Sequence, residues 1–205
     1  MIELHRISKS FGNHHVLKKV SAVFEQGKVN FVIGRSGSGK SVMTKCTVGL
    51  IEPDLGHVAY DGRDFTAMNL KQRKAIRQEI GMLFQGSALF DSMSVEENVR
   101  FPLRMFSSLG EKDIQLRAAA CLERVELEDA GSRFPSECSG GMQKRVGIAR
   151  AIAMNPKYLF CDEPNSGLDP QTAIVIDQLI KEITAEYGMT TVVVSHDMNS
   201  VMEAS

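Results

Sequence analysis

The chain has 205 residues, 43% of them hydrophobic and 24% charged, with a formal net charge of −1. That balance fits one globular domain with a sizeable core, and it argues against a disordered chain or a basic nucleic-acid-binding surface. No apolar run approaches the roughly 18 residues that span a bilayer. The start, Met1 to Arg6, lacks a signal-peptide pattern, and Cys46, Cys121, Cys138 and Cys161 are scattered with no C-x-x-C pair. The expectation is a cytoplasmic protein whose cysteines are reduced core residues, with no structural disulfide or zinc site and no nucleic-acid partner.

In chain order, Ile2 to Ile7 alternates as a strand, a turn falls at Gly12-Asn13, and Val16 to Phe24 supplies a second apolar stretch. Val29 to Ile33 is a short apolar run with the makeup of a buried strand. Next comes Gly34-Arg35-Ser36-Gly37-Ser38-Gly39-Lys40-Ser41, which fits G-x-x-x-x-G-K-[ST], and then Val42 to Leu50, which can wind as a helix. Strand, glycine-rich turn and helix together form the context in which this motif cradles a phosphate. The glycines let several N–H groups face the anion, the helix start favours negative charge, Lys40 can reach the β- and γ-phosphates, and Ser41 can ligate Mg²⁺.

Glu52 to Gly56 reads as a turn, and His57 to Tyr60 alternates into Asp61-Gly62, a strong hairpin signal. The entry is therefore largely antiparallel β. Lys71 to Gln78 is a polar helical stretch, and Glu79 to Phe84 is a buried-strand candidate ending at Gln85. From Gly86 the composition shifts to Met, Phe and Leu, with Ser94 placed to cap a helix starting near Val95 and Glu96 and Glu97 in its first turn. Ile114, Ala118, Cys121, Leu122 and Val125 fall at helical spacing. Residues 86 to about 134 thus read as a helical insertion in an α/β chain.

Ser139-Gly140-Gly141 opens a helix to about Met154, ended by Asn155-Pro156. Lys157 to Asp162 is a strand ending in two acids, Gln171 to Tyr187 a strong helix closed by Gly188, and Thr190 to Ser195 a β-branched strand ending at His196. Such alternation argues for a parallel sheet, whose ligands collect at the carboxyl ends of the strands. Ile33, Phe84, Asp162 and Ser195 each lie at such an end. Asp162 can hold Mg²⁺ opposite Ser41, and Glu163 can orient and polarise an attacking water. An acidic strand end is common by itself, and only the phosphate loop gives this one meaning.

The order of phosphate loop, Gln85, Ser139-Gly140-Gly141, Asp162-Glu163-Pro164, Ser166-Gly167-Leu168-Asp169 and His196 resembles that of ATP-binding-cassette (ABC) ATPases over essentially the whole chain. The resemblance implies a P-loop NTPase (RecA-like) α/β core with an antiparallel β subdomain and an inserted α-helical subdomain. The core with its β subdomain would occupy residues 1–85 and 155–205, and the helical subdomain 86–154. It also implies ATP and Mg²⁺ as ligands. Phe11 would stack on adenine, Gln85 would touch Mg²⁺ and water while sensing a membrane partner, and Ser139, Gly140 and Gly141 would bind the γ-phosphate held by the opposite subunit. Asp169 would couple the two sites across the dimer, and His196 would contact the γ-phosphate. The partners implied are a second copy, head to tail, and an integral-membrane permease that holds the cassette at the inner face of the cytoplasmic membrane.

Several positions depart from the family pattern. Met142 replaces a usual Gln, Cys138 a usual Leu, and Val42 a usual hydroxyl residue, so only the Val42 N–H serves the α-phosphate. The chain also ends nine positions after His196, where related cassettes normally continue, which suggests a fragment or a short member. Within the family, Gly81 to Val99 followed by Phe101-Pro102-Leu103 is similar to the ATPases of Mla or Mce-type phospholipid transporters, which would add lipid-binding subunits as partners. The alternatives are an importer or exporter of another small solute, and a soluble ABC ATPase of DNA repair or translation. The repair class is disfavoured by the lack of a long coiled coil between Ser41 and Ser139, and the translation class by the single cassette.

Overall fold

Two four-stranded sheets share one sandwich of elements in the computed structural model, which describes residues 1–196. Residues 197–205, the last part of the expected core segment 155–205, lie outside the described residues. The first sheet is antiparallel, with order β2-β1-β4-β5, built from β1 (Ile2–Phe11), β2 (His14–Phe24), β4 (Leu55–Tyr60) and β5 (Arg63–Asp64). The hairpin expected at Asp61-Gly62 is present: Tyr60 pairs with Arg63, and both turn residues have positive φ, 49° and 74°.

The stretch expected as a turn at Glu52–Gly56 is only partly one, because β4 already starts at Leu55. Gly56, at φ 85°, lies against the β1 backbone, where a methyl would come within 2.4 Å of the His5 carbonyl oxygen. The β1–β4 register also shifts between His5 and Ser8. Gly56 therefore marks an irregular, close strand crossing, which sequence alone does not separate from a turn.

The second sheet is parallel, with order β3-β8-β7-β6, from β3 (Val29–Ile33), β6 (Ile80–Leu83), β7 (Tyr158–Asp162) and β8 (Thr190–Ser195). Its side chains alternate between two cores, as a period of two requires. Tyr158, Phe160 and Val192 face Ile2, Leu4 and Val58 of the antiparallel sheet together with Met43 and Cys46 of α1 (Lys40–Thr47). Leu83, Leu159, Cys161 and Val193 face the helices.

Those helices are α3 (Val95–Phe106), α4 (Glu111–Arg124), α5 (Gly140–Ile152) and α6 (Pro170–Tyr187), while α2 (Leu70–Gln78) precedes β6. Ser94 caps α3 through a reciprocal pair with Glu97, and Asp169 caps α6 ahead of Pro170. Buried Asn98 stitches the preceding loop to α3: its Oδ1 accepts from Phe90 N at 2.8 Å, and its Nδ2 donates to the carbonyls of Phe90, Met93 and Ser94. Cys46, Cys121 and Cys161 are buried. Among the described residues no helix is long and apolar enough to cross a membrane.

Helix α5 approaches the sheet closely enough to need glycine on both sides. A methyl on Gly81 of β6 would lie 2.3 Å from the Ala151 carbonyl oxygen, and one on Gly147 would lie 2.6 Å from Leu83 Cδ1. This contact fixes α5 beside the end of β6, where Gln85 follows.

Candidate nucleotide-binding site

The carboxyl ends of β3, β7 and β8 and the segment after β6 open on one side of the parallel sheet. A cavity of about 470 Å³ lies there, lined by Ser36, Gly37, Gly39, Lys40, Ser41 and Val42 of the phosphate loop and by Gln85, Glu163 and His196. His14 and Val16 of β2 close its remaining side. A larger cleft of about 710 Å³, lined mostly by apolar residues such as Phe84, Phe90, Phe101 and Phe106, holds none of these groups. The chemistry therefore belongs to the smaller cavity.

The loop Gly34–Gly39 is wound for an anion. Gly37 and Gly39 have φ of 77° and 95°, which L side chains adopt only with strain, and Gly39 starts α1 with no side-chain cap on the helix N–H groups. A methyl on Gly34 would meet Ser38 Oγ at 2.8 Å, so the turn is also tight. Lys40 Nζ donates to the carbonyls of Gly34 at 2.6 Å and Arg35 at 3.2 Å. The ammonium thus spans the loop mouth on weak acceptors that a phosphate can outcompete.

Opposite the loop, the Ser41 hydroxyl hydrogen-bonds to Asp162. Burial raises the Asp162 carboxyl above its usual range, with Glu163 adding to the rise while Ser41, Lys45 and Lys40 act against it. Its Oδ1 is buried and has no protein hydrogen-bond partner. An unpartnered buried carboxylate oxygen beside the Ser41 hydroxyl, with the Gln85 side chain lining the same cavity as Ser41, offers an all-oxygen donor set that suits a hard cation such as Mg²⁺.

Glu163 departs from the strand with φ 51°, an unusual value for a non-glycine residue. The turn lets its N–H still pair with the Val194 carbonyl at 2.9 Å while its side chain meets His196, whose Nδ1 lies 2.6 Å from Oε2. The Glu163 side chain is only 13% exposed, whereas that of His196 is 58% exposed. A carboxylate held by a histidine on the lining of this cavity can orient and polarise water.

The other expected residues lie elsewhere. Ser139 caps α5, accepting from Met142 N at 3.3 Å, and Gly140 and Gly141 pack against Leu168 and Thr172 at the start of α6. None of the three lines the cavity of its own chain. Asp169 is exposed, and hydrogen bonds from Thr172 hold its carboxyl below the usual range. Phe11 is also exposed, under Lys9 Nζ at 5.6 Å from the ring centre, and does not line the cavity; its cross-strand neighbour His14 does. Arg35 and Ser38 shape the loop through the Ser38 N to Arg35 O bond at 3.1 Å.

Two lining residues, His14 and Val16, were not singled out from the sequence, because nothing in a hairpin strand marks which residue reaches a loop beyond it. Lys144 was also missed. It is buried in α5 and donates to the main-chain carbonyls of Gln85 and Glu163, the latter at 3.4 Å. Burial lowers its ammonium below the usual lysine range.

Comparison with known proteins agrees with this geometry. A family model described as ABC transporter matches residues 17–166. The chain is 39% identical over 198 residues to a probable ribonucleotide transport ATP-binding protein mkl of Mycobacterium tuberculosis, covering 97% of this chain and 55% of that protein. It is 40% identical over 205 residues to methionine import ATP-binding protein MetN 1 of Pseudomonas putida, covering 98% of this chain and 61% of that protein. The chain thus spans little more than half the length of these relatives. Among solved structures, the ATP-binding cassette MJ0796, a dimer in a post-hydrolysis state bound to ADP and Pi, matches with a TM-score of 0.88 at 34% identity, covering 99% of this chain and 91% of that one. The cassette cbiO1 of Clostridium perfringens, part of the ABC transporter complex cbiONQ, matches with a TM-score of 0.89 at 30% identity, covering 98% and 80%. With the phosphate loop, Asp162, Glu163 and His196 gathered on one P-loop sheet and the family model matched across most of its length, the chain belongs to the ABC transporter family, as an ATP-binding cassette.

Proposed function

We propose that this chain is the ATP-hydrolysing subunit of a transporter, working as a head-to-tail pair of copies. The observation that carries the reading is the gathering of the phosphate loop, with Asp162 bonded to its Ser41, and the Glu163–His196 pair around one cavity that Ser139–Gly141 do not line. Each copy then offers half of two sites, and a two-fold pairing closes both at once.

In the bound state Lys40 leaves the Gly34 and Arg35 carbonyls for the β- and γ-phosphates, and the loop N–H groups take the remaining oxygens. Ser41, Asp162 and Gln85 would hold Mg²⁺, which when bound neutralises phosphate charge. Glu163 accepts a hydrogen bond from the attacking water, with its carboxylate fixed by His196 from one side and by its own turned backbone from the other. The free N–H groups at the start of α5, at Ser139–Gly141 of the second copy, address the γ-phosphate from the opposite face. Phe11 would stack on adenine once nucleotide is present, and Asp169 would couple the two sites across the pair.

The larger apolar cleft supports docking of a permease segment. It lies next to Gln85 and is walled by Phe84, Phe90 and Phe101, with Lys74, Arg77 and Arg150 also on its lining, so a helix with an apolar face and acidic residues fits it. Such docking would hold the cassette at the cytoplasmic face of a membrane through its partner. The names of the relatives, for ribonucleotide transport and methionine import, favour a small solute as cargo. A second reading, phospholipid transport with additional lipid-binding subunits, is favoured by the Gly81–Val99 segment and the Phe101-Pro102-Leu103 that follows it.

Replacing Glu163 with Gln tests the engine. ATP binding should persist while turnover falls by on the order of 100-fold or more. Unchanged turnover would remove Glu163 from its role.

A further inference from the structure

The helix that begins at the Ser139 cap carries a cation that the reading above does not use. Lys144 stands just over one turn into α5 and is only 4% exposed. Its ammonium donates to the Gln85 carbonyl oxygen and, at 3.4 Å, to the Glu163 carbonyl oxygen. Burying an ammonium whose hydrogen bonds go to neutral carbonyls is a poor way to gain stability; the nearby acids Glu163 and Asp162 offset only part of the cost of burial, and an apolar side chain of the same length fills such a space without desolvating a charge. Packing alone therefore does not account for a lysine here.

The same face of α5 continues this contact. One turn on, Gly147 brings the helix against Leu83 and Ser87, and a methyl there would stand 3.6 Å from Ser87 Cβ. A turn further, Arg150 donates to the carbonyls of Ser87 at 2.6 Å and Ala88 at 2.8 Å. Ser87 and Ala88 both have positive φ, so the loop after Gln85 is turned to present its carbonyls to the helix. Arg150 holds only this loop. Lys144 reaches two segments at once, the Gln85 loop and the turn at Glu163.

We propose that Lys144 is a positioning residue for hydrolysis, locking the main chain of Gln85 and of Glu163 to the helix that starts at Ser139–Gly141. The inference rests on Glu163 orienting the attacking water. Because that helix start addresses the nucleotide of the second copy, Lys144 makes the Glu163 of one site move with the phosphate-binding turn of the other. An ammonium also tolerates small changes in carbonyl direction, having three equivalent donors, so the link survives rotation of α5.

The test compares the full chain with Lys144→Met, Glu163→Gln and the double variant, measuring kcat and KM for ATP and the melting temperature. Lys144→Met should lower kcat by on the order of 10- to 100-fold through misplacement of Glu163. KM should stay within about twofold, because the phosphate loop is untouched, and the melting temperature should fall by no more than about 2–4 °C, the scale of one lost carbonyl contact. In the double variant Lys144→Met should add no slowing to that of Glu163→Gln. A wild-type kcat for Lys144→Met, or a multiplicative loss in the double variant, overturns the proposal. If Glu163→Gln itself turns over normally, the assignment of Glu163 fails instead, which keeps the two failures distinct.

Amide hydrogen exchange on Lys144→Met and on the milder Lys144→Gln decides the matter without any turnover. The amides of Ser87, Glu163 and Ser166 should exchange faster together, while those of β7 remain protected. Unchanged exchange at either segment, or a uniform rise across the sheet, contradicts the link.

Discussion

The close crossing of α5 and β6 sets the position of the Ser139 turn, and substituting its glycines tests it quantitatively. In Gly81→Ala the new methyl would start 2.3 Å from the Ala151 carbonyl oxygen, against about 3.4 Å for ordinary contact, so helix and strand must separate by about 1 Å. The obstacle is main chain and cannot rotate away. A gap of that size forfeits a quarter to a half of the dispersion energy of each contact across it. Overpacking of this kind costs about 1–3 kcal/mol, and a backbone obstacle puts Gly81→Ala near the upper end, at about 3 kcal/mol. Gly147→Ala meets a side-chain methyl, Leu83 Cδ1 at 2.6 Å, and gains helix propensity, so its net cost should be about 1 kcal/mol. Gly131 has φ −54°, and a methyl there finds its nearest neighbour at 3.6 Å, so Gly131→Ala should be stabilising by about 0.5 kcal/mol. Urea unfolding followed by circular dichroism gives all three values. A Gly81→Ala variant within about 0.5 kcal/mol of the parent chain, a difference typical of surface substitutions, would refute the packing account.

Two further substitutions probe the frame around the site. Asn98→Leu removes four hydrogen bonds to the main chain of Phe90, Met93 and Ser94 and leaves donors and acceptors unmatched. It should cost about 2 kcal/mol, read by urea unfolding, with faster exchange at the Phe90 amide. Glu79 is the anchor of Arg63, at 2.8 Å, and of Lys157, at 3.3 Å. Burial alone would raise its carboxyl, but the hydrogen bonds and charges of Arg63 and Lys157 outweigh that and hold it below its ordinary 4.5. A depressed carboxyl stabilises the fold above its unfolded-state value and loses that contribution as pH falls through the folded one. The stability difference between the parent and Glu79→Gln should therefore be about 1 kcal/mol near neutral pH, with partial exposure limiting it, and should begin to shrink near pH 4.5 and vanish once pH is below the lowered folded value. A difference that persists in acid would contradict the pairing.

Much of this architecture was legible in the residues. The phosphate loop announced itself because its function demands glycine at fixed offsets, and Thr190–Ser195 was bounded correctly because β-branched runs have few other uses. Ser94 was readable as a cap because capping is local, whereas the capping role of Asp169 emerged only with the structure. What stayed hidden depends on contacts distant in sequence. Gly56 looks like a turn glycine until β1 is laid against it. Lys144 sits among Gln143 and Arg145, where a cation reads as solvated surface, and nothing in the sequence shows that its head reaches Gln85 and Glu163. His14 becomes a cavity residue only when the first hairpin folds over the phosphate loop, an arrangement that leaves its cross-strand neighbour Phe11 outside the lining.

The central claim is that one chain holds only half of each nucleotide site, because Ser139–Gly141 do not line the cavity that holds Lys40 and Glu163. Sedimentation velocity on the Glu163→Gln chain, with and without saturating ATP, tests it most directly. The predicted result is a monomer that becomes a dimer on adding ATP, with Ser139→Phe blocking the dimer while ATP still binds. A chain that stays monomeric with its phosphate loop saturated would contradict the account.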